Sequence, residues 1–399
     1  MFYKILLSMK KLKLALMVVM TMVLAGTFSS CKKDEKIVEV EKEVIKEVEV
    51  PIDNAYSRYL KAIVDNVKAE KKNDKAILLV AFGSTWEQAF DAFDETIAAY
   101  KAAFAGYDVF LSYSSAICIN RAAAGENGVT RNYYAPSYWL SAFADKDIRY
   151  KEIVVQSLQV IPGEEYTRVI NYIKDFANNA NGDLDDDYLS GVTLKLGVPL
   201  LQDKDTDVPN VAAELHKLYG DKAATDIVAF MGHGNPDSYD TYKANVRYTE
   251  LEAALQAKST NYFVGTVDMM ENFKTDVYDR MVAAGKKDQN MKVWLHPLMS
   301  INGDHGHNDM AGDDLPEDVD EVFTFATLQA LANEEGEVED CSWKNYFGAD
   351  GSGFSCDDDT IIPLGLLELP TIRQIWMNHT QDAIDGDPLD YYHSKNPEP

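Results

Sequence analysis

Basic residues are in short supply: 38 Lys and Arg stand against 65 Asp and Glu, a formal net charge of −27 in 399 residues. That balance argues against a nucleic-acid partner, whose phosphates need a basic surface. It also means that a carboxylate-rich ligand would need a local cluster of Lys and Arg to overcome the field of the chain. Cysteine is scarcer still. Four are too few for a disulfide scaffold, and none forms a CxxC pair. Long apolar runs are also missing. The one candidate, Leu14 to Gly26, is too short to read as a membrane span.

That short run has another meaning. Lys10, Lys11 and Lys13 precede it, and the small residues Ser29 and Ser30 lead out of it to Cys31. A basic start, a short apolar stretch and a small-residue exit make a secretory signal. A cysteine at the exit resembles a bacterial lipoprotein cleavage site, although Phe28 stands where Leu is usual. The expectation is a signal peptide over 1–31, lipidation of Cys31, and attachment to a membrane on the periplasmic or cell-surface side. An uncleaved anchor helix is the alternative. Residues 32–52, with IVEVEKEVIKEVEV, mix helical and strand periods and read as a charged tether. Cys341 and Cys356 flank a short segment that an oxidising compartment could close with a disulfide.

The body alternates strands and helices, and 46% hydrophobic residues supply enough material for a large core or two adjoining ones. AILLVAF (76–82) is an uninterrupted apolar run of strand length, typical of a parallel strand covered on both faces. Trp86, Phe90, Phe93, Ile97, Tyr100 and Phe104 then recur at helical steps. Further strands are expected at 109–113, 153–158 and 192–198, and a helix around Tyr166 to Phe176. A second series starts after Asp226, with the strands IVAFM, YFVGTV and MKVWLHPL, then TIIPLG before a helix around Ile372 to Trp376. LVAFGST and VAFMGHG open the two series in similar ways, a weak internal repeat. The predicted fold class is α/β: two Rossmann-like halves, 53–205 and 206–399, with parallel sheets facing a central cleft. The acidic NGDLDDDY and the stretch Leu315 to Glu339 read as surface additions.

Ligands of open parallel sheets bind beyond the carboxyl ends of the strands. Ser84 and Thr85 follow the first strand and Gln159 the third. His233 follows IVAFM, Asp268 follows YFVGTV, and His305 lies in the loop after MKVWLHPL. Two histidines and a carboxylate suit a divalent metal. The glycines of MGHG let the chain turn and leave the imidazole of His233 uncovered. His216, His379 and His393 read as structural residues, and His296, inside a strand, as packed. The residues alone lead to a metal-competent cleft in an α/β protein.

The ordered set LLVAFGST, QSLQVIPGEEY, LGVPLL, MGHG, VGTVD, PLMSINGDHGHNDMAGDD and SWK resembles the sirohydrochlorin cobaltochelatases of anaerobic cobalamin biosynthesis. The resemblance implies a metal held by His233, His305 and Asp268 over a tetrapyrrole, with His233 also the base that takes pyrrole N–H protons. It implies Ser84 and Gln159 as substrate-side residues, Co²⁺ as the metal substrate with Ni²⁺ or Fe²⁺ as alternatives, and no nucleotide. A homo-oligomer is left open. Three departures accompany it. Asp268 stands where the family has Glu, so Glu271 is a substitute. Gln159 stands where the family has His. Leu315 to Glu339 is inserted before SWK. Export is unusual for tetrapyrrole biosynthesis, which keeps two other readings open: a non-catalytic exported lipoprotein that binds haem, another tetrapyrrole or a metal, and a metal-dependent hydrolase.

Overall fold

A computed structural model describes residues 55–236, 238, 240–267, 277–286, 291–306, 344–347 and 364–389, all within one compact unit, Ala55–Pro399. Cys31 with its signal and tether, Asp268, Glu271, His393, the Cys341–Cys356 pair, the 315–339 insertion and most of TIIPLG lie outside the described residues.

After helix α1 (Ala55–Glu70) the first half runs β1 (Lys75–Ala81), α2 (Glu87–Ala103), β2 (Asp108–Tyr113), α3 (Ala116–Ala124), α4 (Pro136–Phe143), β3 (Glu152–Ser157), α5 (Glu164–Ala177), α6 (Asp186–Gly191) and β4 (Thr193–Gly197). The second half runs α7 (Asp207–Ala223), β5 (Ile227–Gly232), α8 (Val246–Gln256), β6 (Tyr262–Thr266), α9 (Val277–Ala283), β7 (Lys292–Pro297), β8 (Lys344–Phe347) and α10 (Pro370–Asp385). Each half builds a four-stranded sheet in which the described pairings are parallel, in the orders β2-β1-β3-β4 and β6-β5-β7-β8. The two orders are the same permutation, so the weak sequence repeat between the first strands is matched by a repeat of topology.

Alternation within the strands sets the layers. Ile77, Leu79 and Ala81 of β1 point into the large central cluster, while Ala76, Leu78 and Val80 point into a second cluster with α1, α4 and α5. In β5, Val228 and Phe230 join the same central cluster, and Ile227, Ala229 and Met231 face a third, smaller one. Because both faces of β1 and β5 meet an apolar layer, these strands read as continuous hydrophobic runs rather than alternating ones. The central cluster also takes residues of α2, α7, α8 and α10, which join the two halves into one core.

Two elements depart from the sequence expectations. The acidic NGDLDDDY is not simply a loop. Asp185 accepts the backbone N–H of Asp187 and caps the short helix α6, whose first turn carries Asp186 and Asp187. Acidic side chains there favour the positive end of the helix. The last helix, α10, packs against β3 and β4 of the first sheet. It is fastened there by Thr380 donating to Gln156 at 2.7 Å and by Lys195 donating to the carbonyl of Ile384 at 2.8 Å, while His379, hydrogen-bonded to Asp207 at 3.1 Å, ties it to the start of α7. Among the described residues no helix is long and apolar enough to cross a membrane.

Candidate functional site

The carboxyl ends of strands from both sheets open on one cleft, which holds about 1140 Å³ of space running out to solvent. Its wall takes Phe82 to Thr85 after β1, Ser115 to Arg121 after β2, Gln159 to Glu165 after β3, His233 to Asn235 after β5, and Leu298 to His305 after β7. Five residues singled out in the sequence, Ser84, Thr85, Gln159, His233 and His305, line it together. Asp268 and Glu271 are outside the described residues.

His233 and His305 stand edge to face, ring centroids 4.8 Å apart and planes at 77°. Two nitrogens on one tetrahedral ion at Zn–N distances of about 2.0–2.1 Å lie about 3.3 Å apart, so rings at this spacing are close enough to share an ion. Among the described residues, no group of three or more His, Cys, Asp and Glu is gathered in a metal-holding arrangement. The described part of the site is the histidine pair.

The loop bearing His233 is tightly held. Its Nδ1 lies 2.7 Å from the carbonyl oxygen of Gly234. In the neutral imidazole this makes Nδ1 the donor and leaves the lone pair on Nε2, the tautomer a metal ligand or a proton acceptor needs. Gly234 sits at φ +79°, and a Cβ on Gly232 would lie 2.4 Å from the ring of Tyr248, so both glycines of MGHG are demanded by geometry. Beyond them Asn235 donates its N–H to the Asn245 side chain at 2.8 Å, and Asn245 donates back to the Asn235 carbonyl at 2.7 Å. Asp240 accepts the N–H groups of Ala244 and Asn245.

The His305 loop is tied to the first half instead. Asp304 accepts the indole N–H of Trp86 at 2.6 Å and pairs with Arg121 at 3.6 Å. Asp304 has no signal of its own in the sequence: its partners Trp86 and Arg121 are distant in the chain and no spacing rule links them. Ser84 accepts the N–H of Trp86 at 3.2 Å, which organises the same junction.

Gln159 is 6% exposed. Its Oε1 accepts from Ser157, and its Nε2 has no hydrogen-bond partner among the described residues. A buried amide donor without an acceptor costs stability unless something fills the place. As a neutral amide it can hydrogen-bond but neither take a proton nor ligate a metal well. Cys118 also lines the cleft, and burial pushes its thiol up from the ordinary range. Of the other conspicuous histidines, His296 is enclosed in β7 and His379 holds α10, both structural as expected. His216 contacts the Tyr262 hydroxyl at 2.8 Å.

With the geometry established, similarity to known proteins has a place to attach. The profile of the cobalt chelatase family, CbiK, matches residues 75–337. The chain belongs to that family. The cobaltochelatase resemblance of the motif series thus extends to the family as a whole, a family of metal chelatases. The sirohydrochlorin cobaltochelatase CbiKC of Nitratidesulfovibrio vulgaris is 28% identical over 318 residues, 78% of this chain and 91% of its own. The sirohydrochlorin cobaltochelatase of Salmonella typhimurium is 26% identical over 320 residues, 78% of this chain and 97% of its own. Among solved structures, the Fe³⁺-containing SirB of Bacillus subtilis aligns over 77% of this chain and 95% of its own, at 13% identity and a TM-score of 0.47.

Proposed function

We propose that this chelatase inserts a divalent metal ion into a tetrapyrrole lying in the cleft between the two sheets. The observation that carries the reading is the His233–His305 pair at 4.8 Å on the wall of an otherwise largely apolar cleft. In this reading the pair delivers the metal, with Asp268 or Glu271 as the third ligand. Once the ion has left it, His233, its Nδ1 turned to the Gly234 carbonyl, accepts one pyrrole proton at the freed Nε2, and the second proton passes to solvent. The balance is one M²⁺ taken up and two protons released per macrocycle, with no nucleotide. Co²⁺ is the first metal to test and sirohydrochlorin the first macrocycle, since both relatives are named for them; Ni²⁺ and Fe²⁺ are the alternatives, because affinity order does not set selectivity.

The test is incubation of the purified protein with sirohydrochlorin and Co²⁺, followed by absorbance. Insertion that disappears in His233→Ala and survives in Asp268→Glu supports the assignment. Insertion undiminished in both His233→Ala and His305→Ala removes it.

One observation favours a second reading, retention without turnover. Gln159 presents a neutral amide to the cleft where the cobaltochelatase motif carries His, so one ionisable group is missing from the proton path. Under this reading the protein binds haem, another tetrapyrrole or a metal at the same place, and stoichiometric binding without catalytic insertion would establish it. We further propose that the chain is exported and anchored through lipid on Cys31, with residues 32–52 as the tether. Cys31→Ser should then release the protein from membranes, and unchanged attachment would leave an uncleaved helix instead.

A further inference from the structure

We propose that Arg121 is a substrate-positioning residue: its guanidinium takes a side-chain carboxylate at the edge of the macrocycle and so fixes how the ring lies in the cleft. This rests on the tetrapyrrole reading above and adds to it the first half's hold on the substrate. Helix α3 supplies the setting. Ser115 caps its N-terminus by accepting the N–H of Cys118 at 3.3 Å, and Gly125 ends it in the left-handed conformation at φ +72°. Ile117, Cys118 and Arg121, spaced as neighbours on one helix face, all line the cleft. Ile117 is 62% exposed. One helical turn thus offers an apolar surface and, directly after it, a cation. A tetrapyrrole has the matching pattern, a flat apolar ring whose acidic side chains project from its edge.

The guanidinium is placed for this and only loosely held. Its side chain is 49% exposed, with ion pairs 3.4 Å to Glu126 and 3.6 Å to Asp304. Both are longer than a charge-assisted hydrogen bond of about 2.7–2.9 Å. A carboxylate arriving from the cleft can take two parallel N–H groups of the fork at the shorter distance, a geometry neither present partner reaches. Asp304 is not stranded by the exchange, because the Trp86 indole still donates to it at 2.6 Å. The charge of Arg121 is felt inside the cleft. Burial dominates the raised pKa of the Cys118 thiol and the Ser115 hydroxyl opposes it, while Asp304 and Arg121 then pull it in opposite directions. The labour divides between the halves: the second brings the histidine pair to the metal, and the first holds the ring by its edge.

The experiment titrates metal-free sirohydrochlorin into the full chain and into its Arg121→Gln and Arg121→Lys variants, followed by absorbance at low and at high salt. Arg121→Gln is expected to weaken binding about tenfold at low salt, the scale of one charge-assisted pair. Arg121→Lys keeps the charge without the fork and should recover part of the loss. The gap between wild type and Arg121→Gln should narrow as salt screens the pair. Co²⁺ titrated without macrocycle should bind both variants nearly as it binds the wild type, because the Trp86 bond still holds Asp304. An arginine that only served the last turn of α3, through the helix dipole and Glu126, would on removal lower the urea midpoint and weaken both ligands alike. That pattern, or sirohydrochlorin binding unaltered in Arg121→Gln, would overturn the inference and leave the tetrapyrrole reading standing. A wild-type chain that binds no sirohydrochlorin would overturn both.

Discussion

The indole of Trp86 donates to Asp304 across a sequence separation of 218 residues, at 2.6 Å, one position before His305. A residue at the start of α2 in the first half thus sets the loop that presents a histidine of the second. Trp86→Phe keeps the ring and deletes the donor, leaving Asp304 with Arg121 alone. The expected result is Co²⁺ binding weakened by about three- to tenfold and a stability loss of about 1.5–3 kcal/mol, the scale of one hydrogen bond to a charged group. Calorimetric titration with Co²⁺ beside a urea melt separates the two effects. Unchanged metal affinity would mean that the His305 loop is held without this bond.

Gly232 is the second pressure point. Because its added Cβ would lie 2.4 Å from the Tyr248 ring, Gly232→Ala must push aside either the end of β5 or a side chain lining the cleft. Overpacking of this kind costs about 1–3 kcal/mol. Urea denaturation should show that loss, and the ligand titrations should show a weaker site. An alanine variant with wild-type stability would contradict the close approach.

His296 gives the molecule a pH dependence that no cleft residue is needed to explain. It lies within β7, buried against the rings of Tyr219 and Phe230. Burial lowers its pKa from 6.5 to about 4. Between those values the unfolded chain holds a proton that the folded chain refuses, so stability is full above 6.5 and is lost as pH falls toward 4. The loss is on the order of 3 kcal/mol, and it levels off below the folded pKa. Urea midpoints measured from pH 7 to 4 should show this slope, and His296→Leu should reduce it by the equivalent of one proton. An identical slope in the variant would assign the effect to other groups.

Arg280 and Glu252 form a partly buried fork, with Nη1 and Nη2 2.8 and 2.7 Å from Glu252 Oε2, which also accepts the N–H of Val264. Burial raises the Glu252 pKa, and Arg280 opposes that rise. The pair fastens α9 to α8 and β6. Arg280→Ala strands the carboxylate and should cost about 3–5 kcal/mol, whereas Glu252→Gln, which keeps hydrogen-bonding capacity, should cost less. Equal losses in the two variants would argue that α9 is held by packing alone.

The sheets were legible in the sequence because a strand covered on both faces has no polar residue to interrupt it; AILLVAF and IVAFM announce themselves. The helix α6 was missed although Asp185 before DDYLSG is a capping signal, because a dense acidic run reads first as solvated loop. At the site, the strand-end rule brought Ser84, Gln159, His233 and His305 to one cleft. The Trp86–Asp304–Arg121 junction left no such trace, since its residues come from the start of α2, the loop after β7 and helix α3, and no period connects them. The Nε2 of Gln159 was equally hidden: the sequence shows the amide, and only the structure shows that its donor meets no acceptor among the described residues.

The return of α10 to the first sheet has a consequence for how the chain is made. Until residues 370–385 have left the ribosome, β3 and β4 lack the helix that covers them, and Gln156, Asp207 and Lys195 lack the partners α10 brings. The first half therefore cannot finish folding ahead of the second, unlike a string of domains that close one by one during synthesis. A fragment ending at the boundary between the two sheets would emerge with an uncovered apolar flank. Completion of the first sheet's packing waits for α10.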